Sequence, residues 1–183
     1  MRDYGRGDAR AFETLYARHK AATYRYFLRH AGGDAATAAE LHQDLWLKVI
    51  GARGRYEARS KFSTWLYTLA RHRMVDHWRS RHGVTLASLE DEATGAQAGE
   101  VTSALRDPGD DPLDAAIDAQ ARNRLVAALA RVPKLQRDAF LLHIEGGLSL
   151  EEIASLTAAT TETVKSRLRY AYRRLRAALE DLQ

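Results

Sequence analysis

Apolar residues recur every three or four positions along most of the chain, which predicts an all-α fold. From Asp8 to Arg29, the positions Phe12, Leu15/Tyr16, His19, Ala22/Thr23 and Tyr26/Phe27 form the inward stripe of an amphipathic helix capped by Asp8. Gly32 and Gly33 end it, and Asp34 opens a second helix through Ala38, Leu41, Leu45/Trp46 and Val49. Its outer side carries Glu40, His42, Gln43 and Asp44, a small and mostly acidic patch. A glycine-punctuated basic loop, Gly51 to Ser60, leads into a helix from Lys61 to Arg81 on which Phe62, Trp65/Leu66, Leu69, Arg73 and Asp76 recur at helical spacing. From Gly83 to Pro112 the composition shifts to Gly, Ala, Ser, Thr, Asp and Glu and closes on Pro108-Gly109-Asp110-Asp111-Pro112, the signature of a linker. Helix resumes at Leu113 or Asp114, runs through Ile117, Ala121, Leu125 and Ala128/Leu129, and stops before Pro133. Pro133 suits the first turn of the next helix, Lys134 to Ile144, which Gly146 and Gly147 terminate.

The last third carries the sharpest local signals. Ser149 can cap a helix, Glu152 stands three residues on to complete a capping box, and Leu148 and Ile153 can form the accompanying hydrophobic staple. Periodicity breaks at Thr157-Ala158-Ala159, after which Thr160 or Thr161 can cap a helix with the stripe Val164, Leu168, Ala171/Tyr172, Leu175, Leu179 and Leu182. Two helices joined by so short a turn form a helix-turn-helix. The turn position commonly taken by glycine is Ala158, which carries a left-handed penalty if the turn requires a positive φ.

Charge is distributed unevenly around a net +4. Eight Lys and Arg face two acids between Arg53 and His82, whereas nine acids face the single Arg106 between Gly83 and Gln120. A second basic block follows on the last helix, with Lys165, Arg167, Arg169, Arg173, Arg174 and Arg176 outside the apolar stripe. Two cationic modules flanking an acidic connector point to polyanionic partners. Two helical domains are therefore expected, 1–82 and 113–183, joined by a flexible acidic linker over 83–112. No apolar run is long enough to span a membrane and no secretory signal opens the chain, so a cytoplasmic protein without membrane insertion is expected. The absence of cysteine excludes disulfides and thiolate metal sites and fits a reducing compartment.

The two modules suit different forms of nucleic acid. On the first, Tyr56, Phe62, Trp65, Tyr67 and Trp78 offer flat rings among Arg55, Arg59, Lys61, Arg71, Arg73, Arg79 and Arg81, the pairing that holds unstacked bases along a strand. Phe62, Trp65 and Leu69 read mainly as core, while Tyr56 and His72 are better placed to touch a base. On the last helix, Thr161, Thr163, Lys165, Ser166, Arg169 and Tyr170 supply donors for base edges in a major groove. His72 and Asp76 share a helix face, but His77 points about 100° away and no third ligand is indicated, so no metal and no other cofactor is expected. Phosphate-cradling glycine loops, paired carboxylates and Ser/His/Asp orderings are missing, which argues against an enzyme.

The order of FETLYARH, AAELHQDLWLKVI, FSTWLYTLARHRMVDHWR, an acidic linker and VPKLQRDAFLLHIEGGLSLEEIASLT followed by TVKSRLRYAYRRLR resembles the extracytoplasmic-function sigma factors of bacterial RNA polymerase, across about residues 8–82 and 113–180. The resemblance implies a transcription initiation factor working with core polymerase through its beta-prime coiled coil and beta flap. It implies that Glu40, Gln43, Asp44 and Lys48 dock on that coiled coil. Tyr56, Lys61, Phe62, Trp65, Arg71, His72, Asp76 and Arg79 would open the minus-ten element of promoter DNA and hold its single strand. Thr161, Thr163, Lys165, Ser166, Arg167, Arg169, Tyr170 and Arg173 would read the minus-thirty-five element as duplex. An anti-sigma protein is one implied regulator. The helix-turn-helix alone is also compatible with a stand-alone DNA-binding regulator.

One departure bears on control. Where the family carries an Asp-Ala-Glu-Asp pattern before the docking helix, this chain has Thr37-Ala38-Ala39-Glu40, two negative charges fewer. Either a Ser/Thr kinase restores charge at Thr37, since a phosphate adds about −1.5 to −2 near neutral pH, or Asp34, Glu40 and Asp44 suffice.

Overall fold

The computed structural model describes residues 1–82, 121 and 124–180, all of its regular structure helical. Four helices form the first half: α1 (Arg2–Gly5), α2 (Ala9–His30), α3 (Ala35–Gly51) and α4 (Phe62–His82). After a helical stretch over 124–130, the second half comprises α5 (Lys134–Ile144), α6 (Leu150–Thr157) and α7 (Thr161–Glu180). The expected acidic linker and the start of the helix expected from Leu113 lie outside the described residues. Among the described residues no helix is long and apolar enough to cross a membrane.

Local chemistry sets the helix starts. The Asp8 carboxylate accepts from the Arg10 and Ala11 amides at 2.9 and 3.4 Å, and Asp34 does the same for Ala36 and Thr37 at 3.0 and 3.2 Å. Before α6 the capping box is complete: Glu152 N donates to Ser149 Oγ at 3.2 Å, and Ser149 N donates to Glu152 Oε2 at 2.9 Å. Pro133 sits one residue earlier than expected, at the N-cap of α5 with ψ 148°. The turn between α6 and α7 places Ala158 in the left-handed region, with φ 54°. It is the one positive-φ residue other than glycine among those described. Thr160 rather than Thr161 caps α7, accepting from Thr163 N at 3.1 Å.

The predicted stripes of α3 and α7 are buried through Ala38, Leu41, Leu45, Trp46 and Val49, and through Val164, Leu168, Ala171 and Leu175. The α2 stripe is buried at Tyr26 and Phe27, whereas Tyr16, at its other end, is 37% exposed and lies edge-on to Trp46. His42 departs from the expected outer patch. It accepts from Trp46 Nε1 at 3.0 Å and lies 3.1 Å from Thr23 Oγ1, and burial keeps its pKa low.

The two helical halves are in contact. The buried apolar side chains form one continuous cluster from Tyr26 to Leu175. α5 is its centre: every residue from Leu135 to Leu142 is buried, including Gln136, Arg137 and Asp138. A helix without a wet side is covered from every direction. Here α7 lies on one flank and α2 on another, with Arg71 and Tyr67 of α4 reaching Asp138 and the Glu145 carbonyl.

Polar contacts complete this junction. Tyr26 OH donates to Asp138 Oδ1 at 2.9 Å and Arg71 Nε to Oδ2 at 2.7 Å, while His30 Nε2 stands 3.4 Å from Oδ1. The His30 approach is long and poorly aligned for a hydrogen bond, so Arg71 is the stronger restraint on the carboxylate. Glu145, just past α5, takes Arg25 Nε at 2.9 Å and Arg29 Nη1, and its carbonyl accepts from Tyr67 OH at 2.7 Å. Glu152 receives Thr64 Oγ1 at 2.9 Å and lies 3.3 Å from Lys61 Nζ, so the residue that closes the capping box also ties α6 to α4.

Candidate nucleic-acid interface

Two surfaces gather the predicted contact residues. On α7, Val164, Leu168, Ala171 and Leu175 turn inward and leave Thr161, Thr163, Lys165, Ser166, Arg169 and Arg173 exposed, with Arg167 and Tyr170 half-buried. Lys165 and Arg169 stand one turn apart, and Lys165 lies 3.6 Å from the exposed Glu162 carboxylate. Tyr170 is held by its neighbours: Arg174 donates to its hydroxyl from Nη2 at 2.8 Å, and the Arg173 and Arg174 guanidinium carbons lie 5.4 and 5.3 Å from the ring centre. As an acceptor from Arg174, the phenol keeps its own proton to donate. Arg174 therefore belongs to this surface, although the expected reading set omits it. An arginine one turn beyond a tyrosine on a helix was the signal available.

The second surface runs along α4. Lys61, Trp65, His72, Asp76 and Arg79 recur close to the helical period and so share one side, with Lys61, His72, Asp76 and Arg79 exposed. Tyr56 from the preceding loop lies edge-on to Trp65, ring centres 4.8 Å apart, and 6.3 Å from Phe62; Phe62 and Trp65 are 5.7 Å apart. All three rings are half-buried. Phe62 and Trp65 thus pack on the core while remaining partly exposed. His19 of α2 joins them, 5.3 Å from Phe62, with its pKa lowered by burial and by Arg18.

Several predicted members lie elsewhere. Tyr67 and Trp78 are 1% and 4% exposed and offer no open ring. Arg73 is occupied by Asp44 at 2.7 Å and Glu40 at 3.6 Å. Arg71, about 100° around the helix from His72, points to Asp138 and is 7% exposed.

The predicted docking residues Glu40, Gln43 and Lys48 are exposed on α3, and Asp44 is half-buried against Arg73. Leu47 and Ile50, 56% and 43% exposed on that helix, were missed; lying off the inward stripe was their only mark. Thr37 is 8% exposed, and its hydroxyl donates to Asp34 Oδ2 at 2.7 Å. Among the described residues no three His, Asp or Glu side chains are grouped to hold a metal ion.

Residues 15–83 match the Sigma-70 region 2 family, and residues 122–175 match Sigma-70, region 4. The RNA polymerase sigma factor CarQ of Myxococcus xanthus is 34% identical over 184 residues, covering 100% of this chain and 97% of its own. The ECF RNA polymerase sigma factor SigL of Mycobacterium tuberculosis is 33% identical over 182 residues, covering 96% and 92%. Two solved structures share the fold: CnrH in complex with the cytosolic domain of CnrY (TM-score 0.66, 20% identity, 98% of this chain and 94% of that one), and Bartonella quintana RpoE in complex with the anti-sigma factor NepR (0.67, 22%, 94% and 98%). Two family matches in the expected order, and a relative this similar along its whole length, leave a stand-alone regulator without support. The chain belongs to the ECF sigma factors, the initiation factors that bind RNA polymerase and direct promoter-specific transcription.

Proposed function

We propose that the chain divides this task between its two surfaces: the α4 face with Tyr56 takes the separated strand of the minus-ten element, and α7 reads the minus-thirty-five element as duplex. The observation that carries the reading is the half-buried Tyr56, Phe62 and Trp65 cluster, flanked by exposed Lys61, His72 and Arg79. Partly exposed rings beside cations suit unpaired bases, whereas the exposed cations and hydroxyls of α7 suit a groove. Strand opening then draws on binding energy for unpaired bases, and the chain supplies no catalytic group of its own. The working units are 1–82 and 113–183 with the acidic 83–112 between them, acting in the cytoplasm where polymerase works.

Docking on the polymerase's beta-prime coiled coil falls to Glu40, Gln43, Asp44 and Lys48, with Leu47 and Ile50 adding apolar area on the same helix. Phosphorylation of Thr37 is not part of the proposal. The hydroxyl is engaged by Asp34, and a phosphate there would face that carboxylate. Asp34, Glu40 and Asp44 are taken to suffice. An anti-sigma protein remains the proposed class of inhibitor.

Transcription in vitro with core polymerase on genomic fragments tests the division. Tyr56→Ala/His72→Ala should lose open-complex formation while retaining upstream duplex protection, and Lys165→Ala/Arg169→Ala should lose the protection. Wild-type initiation by both double variants would refute it.

A further inference from the structure

We infer that Arg53 is a further strand contact: Tyr4 of α1 holds its guanidinium at the start of the Tyr56 loop, where it takes a backbone phosphate beside the base that Tyr56 receives; this rests on the single-strand reading proposed above. α1 has four residues, too few for a helix to persist in water unaided, so packing keeps it in place. Tyr4 supplies that packing. Its side chain is 9% exposed and its ring lies 5.1 Å from Phe12, which in turn meets Trp46 of α3 edge-on at 5.9 Å. Its other partner is Arg53, whose guanidinium carbon lies 4.9 Å from the Tyr4 ring centre. The backbone beside Tyr4 comes close as well: a Cβ on Gly5 would lie 3.2 Å from the Arg53 carbonyl oxygen, and one on Gly7 3.5 Å from Arg53 Nη2.

This seat fixes where a cation stands relative to Tyr56. Ala52 N donates to the Lys48 carbonyl at 3.0 Å, Arg53 N to Ile50 at 3.1 Å and Arg55 N to Ala52 at 3.0 Å, so the turn is an ordered continuation of α3. Tyr56 follows the turn directly and rests edge-on against Trp65. Tyr4 therefore braces one end of the loop and Trp65 the other. Glu57 takes Arg59 and Asp44 takes Arg73, but among the described residues Arg53 forms no such ion pair, and it remains exposed. Stacking uses the face of a guanidinium and leaves the N–H donors around its rim. A phosphate oxygen is the acceptor such a rim suits, and a ring beside a cation matches the alternation of base and phosphate along a strand.

Binding of a fluorescent oligo-dT to the full-length chain, repeated across salt concentrations, tests this. Each phosphate contact on a single strand contributes about 0.7 to the slope of log affinity against log salt. Arg53→Ala should weaken binding by about fivefold at low salt and lower that slope by about 0.7. Tyr4→Ala should shift both in the same direction by less, since it frees the cation without removing it, and Tyr4→Phe, which keeps the ring face, should match wild type. In the Arg53→Ala background Tyr4→Ala should add nothing, because the two act through one contact. Arg131→Ala removes an exposed cation from the other half and sets the effect of charge alone. An Arg53→Ala effect no larger than that of Arg131→Ala, or Tyr4 and Arg53 losses that add, overturns the inference. Circular dichroism identifies a Tyr4→Ala chain that has unfolded, and the exposed Arg53 then carries the test. Tyr56→Ala separates the two ideas, since it should weaken binding with little change in slope. Loss at Tyr56 with none at Arg53 overturns this inference alone, and wild-type affinity of Tyr56→Ala overturns the single-strand reading together with it.

Discussion

Exchanging Asp138 for Asn changes almost no volume but removes the charge and one of the two acceptor oxygens that Tyr26 and Arg71 use, so it probes the polar centre of the junction. Burial pushes the Asp138 carboxyl up, but His30 and the Arg71 guanidinium override it and hold the group at about 2, against 3.8 unperturbed. At about 1.4 kcal/mol per unit, that difference corresponds to about 2.5 kcal/mol of folded-state stability at neutral pH. Breaking a buried pair from one side costs about 3–5 kcal/mol when the survivor stays buried. Arg71 sits at a boundary between halves and can swing toward water, which places the expected loss for Asp138→Asn at about 2–3 kcal/mol. Urea unfolding followed by circular dichroism measures it. Because the folded pKa lies below the unfolded one, the contribution is complete above about pH 5 and disappears as the pH falls through about 4 toward 2. The gap between wild type and variant should therefore narrow on acidification. A gap below about 0.5 kcal/mol near pH 6, or one that stays constant with pH, would refute the assignment of Asp138 as the charged centre of the junction.

Two further substitutions probe the backbone. Ala158→Gly relieves a left-handed φ of 54° and should stabilise the chain by about 0.5–1 kcal/mol after the extra unfolded-state entropy of glycine, read as a higher urea midpoint. Gly146→Ala should do the reverse: a Cβ there would collide with Leu148 Cδ1 and come within 2.5 Å of the Leu142 carbonyl oxygen and 3.3 Å of Tyr67 Cδ2. The expected cost is about 1–3 kcal/mol, with slow-exchanging α5 amides losing protection.

Local rules were readable from the chain alone. The Ser149/Glu152 box, the Asp8 and Asp34 caps and the strained Ala158 each depend on residues within a few positions, and each stands where spacing puts it. The arrangement of the halves depends on pairs far apart in sequence, Arg71 with Asp138 and Arg25 with Glu145, which no periodicity reports. That is why Arg71 reads as a phosphate contact but is found buried, and why His42 reads as surface but bridges toward Thr23. One clue was present. In Lys134 to Ile144, Asp138 falls within one turn of Leu135, Leu141 and Leu142, so a helix packed on a single side would have had to bury an unpaired acid. The short α1 gave no apolar period to detect.

Because α5 is enclosed on all sides, its residues answer to two neighbours at once. A side chain that suits α7 must also suit α2 and α4, and few replacements satisfy both. Substitutions should be tolerated least here, and an engineer recombining the two halves with those of another sigma factor would have to carry this helix's former neighbours along with it.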